Sequence, residues 1–335
     1  MKVKKKKFKI VVIVISIIIL ICGCAEKENE SKTEIEKERI TLTKGSYRSV
    51  EDEINSIYSF NDESNYEKVD TEELVIFYNS ESGNYIFIKD EDVFVNYQGK
   101  NIKVDDKKIK APKLSNDGKY LFYFCDNGIL EPKVIDLENE IEVIIDNRAI
   151  ISGQFVDWVA DNRLIYYGIR NEDKKSGIFT YDLVNRKEEL VYEINKGYVS
   201  FLKAIDDEVV FIEDNMENRK ILISLEKDNS FKEITEKIID IKDIIKIDKK
   251  IYILGKVKDD VYSIYEILDS GLHRVVYDFP LMINLEKGLS VSPKGELLFM
   301  GSNDDYNEQN IYSYYNGEVK LISIKEGKYT FINMN

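Results

Sequence analysis

The 335-residue sequence predicts an all-β fold built from a repeated unit of about 45 residues. Its composition favours strands, with 22 Tyr, 15 Phe and abundant Ile and Val against only four prolines. Residues 115–124, SNDGKYLFYF, read as a tight Asx-Gly turn followed by a short aromatic run, which is typical of a strand after a turn. Weaker copies of this segment recur along the chain, and a fixed period indicates a repeat architecture.

The apolar runs measure the repeat most clearly. Six runs follow turns rich in Asp, Asn or Gly, and they begin at Leu74, Tyr120, Leu164, Val209, Ile251 and Leu297. Successive starts lie 46, 44, 45, 42 and 46 residues apart, and each unit reads as four strands. Four-stranded units repeated around a ring predict a β-propeller, in which a strand packed between two blades is apolar on both faces. The constant period disfavours the alternative, a β-sandwich with irregular hairpins.

The two ends of the repeat region predict how the ring closes. Residues 329–334, YTFINM, read as a strand that no turn follows, whereas the first unit lacks a good opening strand in residues 62–70. We therefore expect a six-bladed β-propeller over residues 72–335, in which the C-terminal strand completes the first blade and covers its open edge. A seven-bladed ring that uses residues 39–70 as part of a blade is the alternative.

Residues 40–71 are predicted to form an N-terminal segment with a short helix. Ser49 can cap the helix, and acidic residues occupy positions 51–53, in its first turn. One helical face would be shared by Val50, Ile54, Ile57 and Tyr58. This spacing predicts an amphipathic helix that docks on the propeller.

The first 23 residues are predicted to be a signal peptide. Residues 1–9 contain six lysines and no acid, residues 10–21 are apolar apart from Ser16, and the sequence Ile-Cys-Gly-Cys ends at Cys24. This order resembles the bacterial lipoprotein signal, and the resemblance implies cleavage after residue 23 and a lipid on Cys24. The apolar run of 12 residues is shorter than the ~20 that a spanning helix needs, which disfavours an uncleaved membrane anchor.

Residues 24–39 are predicted to be a charged tether between the lipid and the fold. Ten of the 15 residues from 25 to 39 are charged, and such a segment cannot bury a core. Removal of the signal leaves 42 basic against 62 acidic residues, a net charge of about −20. We expect no nucleic-acid partner, because phosphate neutralisation needs clustered Lys and Arg.

Two units carry a recognisable motif. Residues 112–123, PKLSNDGKYLFY, and residues 292–299, SPKGELLF, resemble the TolB-type propeller repeat. The resemblance extends over roughly residues 72–335 and implies a propeller that acts as a binding platform. It transfers no catalytic residue, because the motif is structural, with Gly118 and Gly295 relieving the turn.

Few residues in the sequence are suited to catalysis. His273 is the single histidine, so a His-dependent triad or a multi-His zinc site is hard to build, and no nucleophile-elbow, Walker A or dinucleotide motif is present. We predict no catalytic residue, no cofactor and no metal. Cys125 is expected to be a buried small hydrophobe.

Three features of the sequence are candidate ligand-binding sites. The acidic loop 303–308 has oxygen ligands for Ca²⁺ but lacks the EF-hand pattern, and a solvated hairpin is favoured. Trp158, Tyr166 and Tyr167 are more typical of core packing than of sugar stacking. We expect any site to lie where blades differ, chiefly in residues 171–177 and 302–310.

These observations predict a monomeric lipoprotein on the extracytoplasmic face of the cell membrane, anchored through Cys24. Its propeller would be a non-catalytic module that binds a protein, a peptide or an envelope glycan at one face. One alternative is a carboxylate-dependent glycan-processing enzyme, which predicts paired acids with perturbed pKa values. The other is a small-ligand or calcium-binding sensor, which predicts thermal stabilisation by the ligand.

Overall fold

The fold is described by a computed structural model, which contains thirty β-strands and no helix among the residues it describes. Those residues are 39–51, 54–61, 65–206, 208–215, 217, 219–304 and 308–334. The strands form seven sheets, and each sheet is one blade of a β-propeller. The predicted all-β propeller is therefore confirmed, but with seven blades rather than six.

The strands follow one another blade by blade along the chain. Blade 1 contains β1 (Tyr47–Glu51), β2 (Ile54–Phe60) and β3 (Tyr66–Val69). Blade 2 contains β4 (Leu74–Tyr78), β5 (Tyr85–Lys89), β6 (Asp92–Tyr97) and β7 (Lys100–Lys103). Blade 3 contains β8 (Ile109–Leu114), β9 (Tyr120–Asp126), β10 (Leu130–Asp136) and β11 (Ile141–Val143). Blades 4 and 5 contain β12 (Ala149–Ala160), β13 (Arg163–Arg170), β14 (Lys175–Asp182) and β15 (Lys187–Ile194); and β16 (Tyr198–Ile205), β17 (Glu208–Asp214), β18 (Lys220–Leu225) and β19 (Phe231–Thr235). Blades 6 and 7 contain β20 (Ile238–Ile247), β21 (Lys250–Val257), β22 (Tyr262–Leu268) and β23 (Gly271–Arg274); and β24 (Met282–Ile283), β25 (Leu289–Val291), β26 (Leu297–Ser302), β27 (Asn310–Tyr315) and β28 (Glu318–Leu321). The last two strands are β29 (Lys328–Phe331) and β30 (Asn333–Met334).

The first strand of each blade lies at the centre of the ring, as the successive contacts between the first strands of blades 3 to 7 indicate. Each later strand pairs antiparallel with the one before it and lies further out. The connections between second and third strands, and those that lead to the next blade, therefore share one face, which we call the upper face. The turns between first and second strands, and between third and fourth strands, form the lower face.

Seven apolar clusters hold the ring together, and each lies between two neighbouring blades. The second strand of a blade contributes to two clusters. In β13, Leu164 and Tyr166 pack towards blade 3, whereas Ile165 and Tyr167 pack towards blade 5. Burial on both faces explains why these strands read as continuous apolar runs rather than as alternating ones.

The expectation of six blades is wrong because residues 47–69 form a blade of their own. Its strands, YRSVE, INSIYSF and YEKV, carry so many polar residues that they show no apolar run. Part of that polarity is buried: Ser46 and Ser59 are almost inaccessible, and their hydroxyls are bonded to each other at 2.9 Å. A hydrogen-bonded serine pair takes the place of apolar packing and conceals the blade from a hydrophobicity pattern.

The first apolar run was also assigned to the wrong strand. Leu74–Tyr78 is the inner strand of blade 2, and the run that corresponds to the one at Tyr120 begins at Tyr85. The turn before it closes in the same way as the turn before Tyr120. The amide of Gly83 donates to the carbonyl of Asn79 at 2.8 Å, as the amide of Gly118 does to the carbonyl of Ser115. Both glycines have positive φ, which favours glycine at these positions.

The predicted helix over residues 49–58 is wrong, because residues 49–51 and 54–58 belong to the antiparallel strands β1 and β2. The residues assigned to one helical face are separated by burial: Val50 and Ile54 are exposed, whereas Ile57 is buried. The helical spacing was accidental. Side chains at alternate positions, such as Tyr47 and Ser49, are buried, as the two-residue period of a strand requires.

The C-terminal strand closes the ring, but the blade that it completes is formed by residues 47–69 and not by the unit that begins at Leu74. Strand β29 pairs antiparallel with β1 and supplies the inner strand of blade 1, with Phe331 opposite Tyr47 and Tyr329 opposite Ser49. The chain then crosses to blade 2, where β30 pairs in parallel with β4. The buried side chains of Tyr329 and Phe331 join the cluster between blades 7 and 1, and Ile332 joins the cluster between blades 1 and 2.

Deletion of residues 328–335 should therefore open the ring. Each large apolar side chain removed from full burial costs about 1.5–3 kcal/mol, against a total stability of roughly 5–15 kcal/mol for a typical domain. We expect the thermal unfolding midpoint to fall by at least about 10 °C, measured by circular dichroism. The control is Lys328→Ala, which removes an exposed side chain and should leave the midpoint unchanged. An unchanged midpoint in the deletion variant would contradict this closure.

Candidate binding surfaces

Exposed apolar side chains are concentrated on the upper face. Of 21 large apolar side chains that are exposed among the described residues, 16 lie at upper strand ends or in upper connections. They are Val50, Ile54, Ile129, Leu130, Ile144, Ile150, Ile169, Tyr198, Ile239, Val261, Tyr262, Tyr277, Phe279, Leu281, Leu321 and Ile324. Since scattered single exposures would fall on both faces alike, the imbalance makes the upper face a candidate contact surface.

Two regions of the upper face are built by specific packing. At blades 3 and 4, Ile150 and Ile169 are cross-strand neighbours, and Leu130 lies so close to β12 that a Cβ on Gly153 would be 2.6 Å from its Cδ1 atom. At blades 6 and 7, the connection of residues 275–281 presents Tyr277 beneath the guanidinium of Arg274, with 5.1 Å between that group and the ring centroid. Aromatic and apolar side chains held in this way are typical of protein contact surfaces.

The inner strands are joined across blade boundaries by lysine–aspartate contacts. Lys113 Nζ lies 3.0 Å from Asp157 Oδ1 of the next blade, and Lys203 Nζ lies 2.7 Å from Asp243 Oδ1. Each lysine also donates to a backbone carbonyl of that next blade. The second oxygen of each aspartate accepts a backbone amide from the blade beyond, at 3.1 Å from Ala204 and 2.7 Å from Leu289.

The contact with the next blade stabilises the charged form of Lys203. Burial inside the ring disfavours the charged form of Lys203, but attraction to Asp243 and Asp157 outweighs it, so the pKa of Lys203 is raised above its ordinary value. Each aspartate accepts three hydrogen bonds, which connect three consecutive blades and occupy both carboxylate oxygens.

A narrow cleft of about 190 Å³ follows the closure between blades 7 and 1. Tyrosines line it: Tyr47, Tyr58, Tyr66 and Tyr329. The pKa of Tyr47 is raised by burial and by the nearby oxygens of Tyr329, Tyr58 and Glu51. Lys325 pairs with Glu51 at 2.7 Å at the side of the cleft. The volume is smaller than that of most ligand pockets and suits one ring-sized group.

The aromatic residues singled out in the sequence pack in the core. Trp158, Tyr166 and Tyr167 are buried between blades, as the packing interpretation predicted, and the indole of Trp158 donates to the carbonyl of Lys113 at 3.3 Å. Cys125 is buried too, and burial together with the nearby Asp106 raises the pKa of its thiol. A buried thiol with a raised pKa is a poor nucleophile.

The other candidate positions fall in different places. His273 is exposed on the outer strand β23, in a hairpin as predicted. The loop of residues 171–177 is shorter than expected, because β14 begins at Lys175, and it is held by an ion pair of 2.7 Å between Arg170 and Asp173. The acidic loop 303–308 contains residues 305–307, which lie outside the described residues.

Cys24 and the whole predicted signal and tether up to residue 38 also lie outside the described residues. In the part of the chain that the structure describes, no helix is long and apolar enough to cross a membrane. The same part contains no group of three or more His, Cys, Asp or Glu side chains arranged to hold a metal ion.

Sequence reasoning missed the upper face and the cleft. The sixteen exposed side chains are far apart along the chain, and their common face follows only from strand direction. The tyrosines of the cleft come from both ends of the chain, so only the pairing of β29 with β1 brings them together.

The strand topology defines a seven-bladed β-propeller. Several solved propeller structures are similar to it. The β-propeller domain of the Trilobed protease from Pyrococcus furiosus is similar at a TM-score of 0.51 and 15% identity, over 76% of this chain and 86% of that one. Oligogalacturonate lyase from Vibrio parahaemolyticus is similar at 0.54 and 12% identity, over 84% and 85% of the two chains.

A quinonprotein alcohol dehydrogenase-like protein from Bacteroides thetaiotaomicron is similar at 0.53 and 13% identity, over 86% of this chain and 78% of that one. At such low identity the similarity shows the propeller fold alone, because one fold supports many activities. No protein-family model matches the sequence, and no curated protein is significantly similar to it.

Proposed function

We propose that this protein is a lipid-anchored binding module on the extracytoplasmic face of the cell membrane, and that its upper face engages a protein partner. The observation that carries the proposal is the concentration of exposed apolar side chains on that face. Large exposed apolar side chains that are concentrated on one side of a protein mark interaction sites.

A protein fits the upper face better than the bilayer does. Carboxylates stand among the apolar side chains, with Asp240 accepting from the hydroxyl of Tyr262 at 2.9 Å and Asp260 lying 3.6 Å from Arg274. Contact with an anionic bilayer needs an excess of Lys and Arg instead. Mixed charge around apolar side chains is the arrangement found at the rims of protein interfaces.

The chemistry of the acids supports a non-catalytic role. A glycan-processing enzyme needs a carboxylic acid whose pKa is raised, so that it can donate a proton. Among the described carboxyls with a shifted pKa, hydrogen bonds from neighbouring donors hold each pKa down, against any effect of burial. They are Glu51, Asp106, Asp173, Asp182, Asp228 and Glu236.

The anchor is tested by replacing single cysteines of the full chain. Cys24→Ser should abolish labelling by an alkyne-tagged palmitate in cells, because it removes the thiol that receives the lipid. Cys22→Ser, two residues earlier, should leave the labelling intact. Labelling that persists in Cys24→Ser would contradict the lipoprotein assignment.

The binding face is tested by photo-crosslinking of the full chain in its own cells. A photoreactive phenylalanine at position 150 or 281 should crosslink to the same discrete protein, because Ile150 and Leu281 are 62% and 70% exposed on the upper face. The matched controls are positions 184 and 231, where Val184 and Phe231 are 67% and 56% exposed on the lower face. Equal crosslinking from both faces, or from the lower face alone, would overturn the proposed orientation.

A further inference from the structure

Lys287 lies between β24 and β25 of blade 7, and its contact with the inner strand of blade 1 lacks the acid that two similar contacts have. At two other boundaries the inner-strand lysine meets an aspartate of the next blade, as Lys203 meets Asp243. At this boundary Lys287 Nζ lies 2.8 Å from Thr330 Oγ1 on the closing strand β29. A threonine hydroxyl accepts the hydrogen bond but cannot neutralise the charge.

A second cation lies beside the first. Arg48 is directly opposite Thr330 in the pairing of β1 with β29, and both Arg48 and Lys287 are half-buried. Within the described part of the chain, no carboxylate oxygen lies within 4.0 Å of either side chain. Burial lowers the pKa of Arg48, and burial together with the charge of Arg48 lowers the pKa of Lys287.

Two half-buried cations without a counter-ion are costly to the fold. Like charges repel most strongly where little water separates them, and a partly desolvated charge is stabilised chiefly by a partner of opposite sign. The placement stands out because the chain as a whole is acidic, with a net charge of −14. At the boundaries of blades 3 and 4 and of blades 5 and 6 an aspartate compensates the lysine, whereas at the closure a threonine takes that position.

We propose that Arg48 and Lys287 form an anion-binding site in the centre of the ring, which takes a small oxyanion such as a carboxylate or phosphate group. The guanidinium offers a planar fork of donors that matches either group. Lys287 supplies a second charge. Thr330 is a positioning residue: its hydroxyl donates to the carbonyl of Tyr329 at 2.9 Å and accepts from Lys287, which fixes the ammonium group beside β29.

The bound anion takes the place that Asp243 occupies at the boundary of blades 5 and 6. There the protein supplies its own carboxylate, whereas at the closure the negative group comes from outside. Because Lys287 belongs to blade 7 and Arg48 to blade 1, the anion would connect the last blade to the first. Binding should therefore stabilise the closure of the ring, by the linkage between a ligand and the folded state.

The test measures thermal unfolding of the full chain, purified in detergent at neutral pH, in sodium phosphate, sodium acetate and sodium chloride of equal ionic strength. We expect phosphate, acetate or both to raise the midpoint by at least about 2 °C over chloride. A rise with phosphate alone assigns a phosphate group, and one with acetate alone assigns a carboxylate. A midpoint that is the same in all three salts would overturn the proposal.

Four variants separate the site from a general salt effect. Arg48→Gln and Lys287→Gln should lose the anion-specific rise, whereas Lys203→Gln, at the boundary that has its own acid, should keep it while unfolding at a lower temperature. Thr330→Asp installs the missing acid, and it should raise the midpoint in chloride and abolish the anion response. If Arg48→Gln and Lys287→Gln keep the full rise, the anion binds elsewhere and the proposal is wrong.

Discussion

The structure depends on one constraint: every blade buries both of its faces against neighbours, so the first blade needs the last. Seven apolar clusters, one at each boundary, carry this burial around the ring. At the closure the constraint is met by two kinds of contact. Strand β29 supplies backbone hydrogen bonds to β1, and its buried Tyr329 and Phe331 fill the boundary with blade 7. Without it, blade 1 would have an open inner edge and an exposed apolar face.

This constraint explains which parts of the fold were visible in the sequence. Strands such as β9 and β13 are buried on two faces, so they appear as apolar runs with a regular spacing, and the propeller followed from them. Blade 1 was predicted only as the alternative, because its burial includes the hydroxyls of Ser46 and Ser59, which look like surface residues in a sequence. The helix was predicted in this blade because Val50, Ile54, Ile57 and Tyr58 have the spacing of one helical face by chance.

The candidate sites were less visible, for a reason of geometry. Loops had seemed the natural place for them, yet residues 171–174 are a short turn held by Arg170 and Asp173. The upper face depends on which end of each strand is exposed, and the site at Arg48 and Lys287 depends on the register of β29 with β1. Both are properties of long-range pairing, which local residue patterns do not specify.

The lysine contacts between neighbouring blades differ at the closure of the ring. Lys113 and Lys203 each form an ion pair with an aspartate of the next blade, so their charges are neutralised within the protein. The lysine at the closure meets a threonine, which leaves its charge and that of Arg48 available. A seven-bladed ring closed by β29 is thus the basis for the upper face, the tyrosine cleft and the anion site alike.

The closure is tested most directly by cysteine pairing between its two strands. Val50 and Lys328 are opposite each other in β1 and β29, and directly opposed residues of antiparallel strands are within reach of a disulfide. The double variant Val50→Cys with Lys328→Cys should form an intramolecular disulfide on mild oxidation, detected by mass spectrometry, while Val75→Cys with Lys328→Cys should not. The native Cys125 is buried and does not compete. Absence of the first disulfide, or formation of the second, would contradict a ring in which blade 1 is completed by β29.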